Sequence, residues 1–184
     1  MSRRAKRIIL ALFLVLIAIP VLYVIFSWRP ADALRFQACG YFPAEGQPAG
    51  VAGSRGNVEV LIENTGHFPI RYYMGYVVRD ADGSGAPGSL LSGTEESTVY
   101  HVTIPPGKFI RARAKDWDPR GQSDGGIRSP GISVRHYWLS STRAYWDDLL
   151  AWWYWKRNPG SLRFPAFHEG HAPLIPPPDS ASMP

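Results

Sequence analysis

"NVEVLIENTGHFPIRYYMGYVVRD", residues 57–80, is the stretch whose periodicity decides the fold class. Val58, Val60 and Ile62 alternate with Glu59, Leu61 and Glu63, the two-residue period of a strand buried on one face. Asn64-Thr65-Gly66 supplies turn chemistry. A second strand is then expected over 70–80, with Tyr72, Met74, Tyr76 and Val78 on one face and Arg71, Tyr73 and Arg79 on the other.

Similar short runs lie on either side. "LRFQACGYF" (34–42), "STVYHVTI" (97–104), "KFIRARAK" (108–115) and "ISVRHYWLS" (132–140) read as strands, the middle two flanking a Pro105-Pro106-Gly107 turn. Six short strands between Gly- and Pro-rich loops predict a mainly β fold, an antiparallel β-sandwich over 34–140. Gly and Pro total 35 of the 184 residues, which also disfavours a helix bundle.

The N-terminus sets the address. Residues 1–7 contain Arg3, Arg4, Lys6 and Arg7, and residues 8–28 contain no charge. Twenty-one residues at about 1.5 Å each reach about 31 Å, enough for the hydrocarbon core of a bilayer. Tyr23 and Trp28 fall towards the far end, where amphipathic rings favour the membrane boundary, and Pro20 is tolerable in such a helix. The basic flank predicts a cytoplasmic N-terminus, with the body in the periplasm or its equivalent outside a plasma (inner) membrane. A linker is expected at 29–33. Ala31-Asp32-Ala33 has the small-x-small pattern of a cleavage site, so a signal peptide cut after Ala33 is the competing reading.

The four basic residues before the span account for most of the formal charge of +5, leaving 16 basic against 15 acidic side chains in residues 29–184. A domain so nearly neutral lacks the basic patch that phosphate backbones require, and no nucleic-acid partner is expected. Cys39, the one cysteine, excludes an internal disulfide and Cys-rich zinc sites.

Residues 141–157, "STRAYWDDLLAWWYWKR", read as a helix capped by Ser140 or Ser141 and stopped by Asn158-Pro159-Gly160. Four of the seven tryptophans lie within its positions 146–155. At about 100° per residue Tyr145, Trp146, Leu149, Leu150, Trp152, Trp153 and Tyr154 cover an arc of about 200°, nearly double what a helix lying on one sheet needs, and Trp155 falls outside it, between the aspartates. One flank is expected to face the domain and the other a membrane-protein partner, through Trp146, Leu150, Trp152, Trp153, Tyr154 and Trp155. The expected membrane-interface residues are Arg3, Arg4, Lys6, Arg7, Tyr23 and Trp28. Residues 158–184, ending in "APLIPPPDSASMP", are expected to form a disordered Pro-rich tail.

"VEVLIENTGHFPIRY" followed by "IPPGKFIRARA" resembles the immunoglobulin-like sandwiches of late-embryogenesis-abundant, water-stress-type domains. In those domains a strand ends in an Asn-containing turn, a Phe-Pro-Ile step enters the next strand, and Ile-Pro-Pro precedes a later one. The resemblance covers about residues 57–115, and Asn64-Thr65-Gly66 stands where that family more often has Asn-Pro-Asn. It implies a fold and a non-enzymatic role and carries over no functional residue.

Motifs for chemistry are sparse. His168 and His171 of "HEGH" are three apart, whereas a helical zinc protease needs histidines four apart. "DADGSG" (80–85) and "DWDPRGQSDGG" (116–126) suggest calcium loops but lack the closing bidentate carboxylate. There is no activated cysteine context. The expectation is a non-enzymatic accessory or scaffolding subunit, without cofactor, metal or small-molecule substrate. The alternatives are an envelope stress-protection or chaperone-like domain, and a metal-dependent enzyme using His168 and His171.

Overall fold

The computed structural model describes residues 2–28, 30–43, 56–79, 88–93, 101–117, 127, 131–159 and 166–177. The candidate calcium loops, 80–85 and nearly all of 116–126, lie outside them, as do 178–184. The element order is α1 (Arg3–Trp28), β1 (Leu34–Pro43), β2 (Gly56–Asn64), β3 (Ile70–Arg79), β4 (Ser89–Gly93), β5 (Val102–Ile104), β6 (Phe109–Trp117), β7 (Ile132–Ser140), α2 (Ser141–Arg157) and β8 (His168–Ile175). The chain is mainly β, and α1 is long and apolar enough to cross a membrane.

The strands follow the order β4-β6-β2-β1-β8-β7-β3-β5, and a further β3–β4 pairing closes seven of them into a barrel. This departs from the expected antiparallel sandwich. A ring with an odd number of strands cannot alternate throughout, and β1 and β8 form its parallel pair, with Phe36 opposite Leu174 and Gln37 opposite Ile175. Every other pairing is antiparallel. Two parallel neighbours need a long connection, and here they stand at opposite ends of the domain's sequence.

β8 corrects the reading of 158–184 as a disordered tail. Leu174 is buried, while Glu169, His171 and Pro173 face outward, so the segment has strand alternation under its Gly and Pro content. β4 also went unread, being short and enclosed by loop-like sequence. The strand expected at 97–104 is described only over Val102–Ile104 as β5, and positions 97–100 lie outside the described residues.

β2 keeps the predicted alternation, with Val58, Val60 and Ile62 fully buried. β3 does not. Its pairing with β7 shifts register between Tyr72 and Met74. A bulge adds one residue to one strand, and one residue reverses every later side chain. Gly75 and Val77 therefore face inward, whereas Met74 is exposed and Tyr76 and Val78 turn outward. Gly75 is required here, because a Cβ would meet the Tyr72 hydroxyl. That hydroxyl donates to the Leu91 carbonyl at 3.2 Å. The core is completed by Phe36, Ile62, Ile70, Ile104, Val134 and Trp138.

Candidate membrane-proximal docking surface

One end of the barrel is built around the end of α1. Trp28 is half-buried and its carbonyl accepts from Ser140 Oγ at 3.3 Å, while the Ser27 and Thr142 hydroxyls are 2.8 Å apart. Ser140 also caps α2, accepting from the Arg143 backbone N–H at 3.2 Å. β7 thus passes into α2 without a loop, beside the point where α1 ends. Lys156 and Arg157 lie in the last turn, as the helix dipole favours.

The linker is held in place. Ala33 O accepts from Thr65 N at 2.9 Å and from Thr65 Oγ1 at 2.8 Å. Asp32 Oδ2 accepts from Nε2 of fully buried His136 at 2.9 Å. Gly170 of β8 lies against this pair, and a Cβ there would collide with both groups. Sequence reasoning missed Asp32, which carries no periodic or motif signal in a short linker.

Asn64 ties the neighbouring turns together. It is fully buried and donates through Nδ2 to Phe68 O and Ile104 O, both at 2.9 Å. Its Oδ1 accepts from Gly66 N at 2.9 Å, and its carbonyl accepts from Gly107 N at 2.8 Å. The neighbouring Asn-Thr-Gly and Phe-Pro-Ile segments and the Ile-Pro-Pro segment about forty residues on meet at this one side chain. Gly107, at φ 66°, provides the left-handed residue of the Pro105–Lys108 turn.

α2 presents the opposite arrangement from an ordinary amphipathic helix on a barrel. Ala144 is its one buried residue. Asp148 pairs with Arg71 of β3 on the barrel, and Asp147 pairs within the helix with Arg143 at 3.9 Å. Arg143 also approaches His168 Nε2 at 3.0 Å. Burial works against the charge on Arg71, but hydrogen bonds with Asp148 and the Tyr73 hydroxyl outweigh it and hold its pKa above the usual value. Burial raises the Tyr73 pKa, and burial followed by the charge of Arg71 lowers that of His101. Tyr73 packs against His101 and Phe167, with centroids 5.5 and 4.5 Å away.

The aromatic side chains point away from the barrel. Tyr145, Trp146, Leu149, Leu150, Trp152, Trp153, Tyr154 and Trp155 are 39–64 % exposed. Five of the six expected partner-binding residues therefore share one helix surface, Trp155 falls outside it between the two aspartates, and none of the six is buried by the barrel. At about 100° per residue, consecutive Trp152 to Trp155 surround the helix. Lys156 and Arg157 lie over the Trp152 and Trp153 rings, at 4.9 and 3.8 Å from the centroids.

Of the expected interface residues, Arg3, Arg4, Lys6 and Arg7 lie in the first two turns of α1, exposed, at the end remote from the barrel. Tyr23 lies near the other end and packs against Phe68 with ring centroids 5.8 Å apart. His168 and His171 do not form a site. Three apart on a strand, they project to opposite faces, His168 towards Trp138 and Arg143 and His171 towards Ser133. Among the described residues, no three His, Cys, Asp or Glu side chains are grouped to hold a metal ion. Compared with protein families and with curated protein sequences, the chain matches none.

Proposed function

We propose that the protein is a single-pass, non-enzymatic accessory or scaffolding subunit of an inner (plasma) membrane, with its barrel on the outer side. In this reading α1 is retained as the anchor, its basic end in the cytoplasm, and α2 docks a membrane-protein partner. The observation that carries it is the orientation of α2, with Asp148 paired to Arg71 of the barrel and the aromatic rings left uncovered. Aromatic side chains of this kind are characteristic of interface hot spots. A helix whose apolar arc spans about 200° needs cover on more than one side.

Retention of the anchor has separate support. Cleavage after Ala33 would remove Asp32 and strand the buried His136 Nε2 proton. It would also remove the Ala33 carbonyl from Thr65 and the Trp28 carbonyl from Ser140.

The meeting of three resemblance-bearing segments at Asn64 supports a second reading, an envelope stress-protection or chaperone-like domain. Native purification in mild detergent separates the two. One stoichiometric integral membrane protein is expected, lost on Trp153→Asp while the barrel's melting midpoint stays unchanged. Many substoichiometric clients would favour the second reading, and joint loss of partner and stability would return α2 to the domain core.

A further inference from the structure

The anchor and the barrel overlap along the length of α1. Phe68, in the turn between β2 and β3, sits edge-on against Tyr23. Tyr23 precedes Trp28 by five residues, about 7.5 Å of helix. The uncharged stretch 8–28 is about 31 Å long, barely the thickness of the hydrocarbon layer at about 30 Å. If α1 left the hydrocarbon at Tyr23, only residues 8–22, about 22 Å, would remain to span it. A full span therefore draws the Phe68 turn down with it.

We infer that the turn Thr65–Pro69 is seated in the headgroup–acyl boundary of the outer leaflet, so that the barrel rests in lipid instead of standing off on a stalk. This rests on α1 remaining in the bilayer, as proposed above. The turn's chemistry suits the site. Thr65-Gly66-His67-Phe68-Pro69 contains no acid, lysine or arginine. Polar backbone enters lipid only when it is hydrogen-bonded. Asn64 satisfies the Gly66 N–H and the Phe68 carbonyl, and Ala33 satisfies the Thr65 N–H. Beside it, Pro105-Pro106-Gly107 leads to Lys108 and to Phe109, which is 58 % exposed. A ring that can enter the boundary beside an ammonium that can reach phosphate is the usual pairing at such a surface. The Ser27–Thr142 contact places the start of α2 at the same level, so a partner meeting α2 would do so beside the membrane.

The test is an environment-sensitive fluorophore on exposed His67, as His67→Cys in a Cys39→Ser background, with the full chain reconstituted in phosphatidylcholine vesicles. Arg113→Cys, on an exposed position of β6, is the reference. The expected result is blue-shifted emission at position 67, quenching by brominated acyl chains, and iodide quenching several-fold weaker than at position 113. A label at 67 as wet as that at 113, in chains that float with the vesicles after alkaline washing, overturns the seating and leaves the anchor intact. Chains that do not float overturn the anchor and the seating together. A label wet in pure lipid but shielded in native membranes assigns the turn to a protein and also overturns it.

Discussion

Asn64 shows how much one side chain can hold together. Its amide bonds to the Phe68 and Ile104 carbonyls and to the Gly66 N–H while fully buried. Asn64→Ala leaves buried carbonyls without donors, and denaturant unfolding should show a loss of roughly 2–4 kcal/mol. Cys39 is a residue of the opposite kind, exposed and unactivated. Partial burial, then the Glu59 charge, raise its pKa above the ordinary thiol value against the opposing pull of Arg111. The thiolate is the reactive form, so at neutral pH Cys39 should be alkylated more slowly than a free thiol. The rate should rise with pH along a curve displaced to higher pH than that of the free thiol, and an equal rate at neutral pH would contradict the assignment.

At the scale of elements, the tryptophans separate into two populations. Trp138 of β7 is 3 % exposed inside the barrel, whereas Trp152 and Trp153 of α2 are about half exposed. Trp138→Ala should cost about 3–5 kcal/mol through the cavity it leaves. Trp152→Ala and Trp153→Asp should each change stability by no more than about 0.5 kcal/mol, as surface substitutions do, and act on assembly instead. Thermal melts of the three variants check this directly. The composition of α2 was readable from the sequence, but not which face meets the domain. That was settled by Arg71, placed on the outside of β3 one residue from its start, where it pairs with Asp148. The β3 bulge was equally invisible, because Tyr72, Met74, Tyr76 and Val78 form an uninterrupted apolar alternation.

At the scale of the whole molecule, β8 closes the barrel between β1 and β7. Removing His168–Ile175 would expose the edges of both neighbours and unpack the core around Leu174. Such edges template intermolecular pairing. A chain ending before β8 should therefore aggregate on extraction instead of running as a discrete species in size-exclusion chromatography. The same closure binds the anchor to the domain, since Gly170 lies against the Asp32–His136 pair. Loss of β8 should also loosen the linker, making it accessible to protease.

Local pattern was enough for the sequence alone to determine an N-terminal helix with an uncharged run of membrane-spanning length, the strands β1, β2, β3, β6 and β7, and the limits of α2. Those features repeat every two or 3.6 residues, or arise from turn and cap chemistry within a few positions. Tertiary structure decided what depends on partners distant in sequence. β8 is a strand because β1 and β7 leave a gap for it, and the ring has a parallel pair because seven strands close it. α2 turns its aromatic rings outward because Arg71 takes up its acid at the barrel wall. Asp32 is held against the barrel because a buried histidine more than a hundred positions away bonds to its carboxylate.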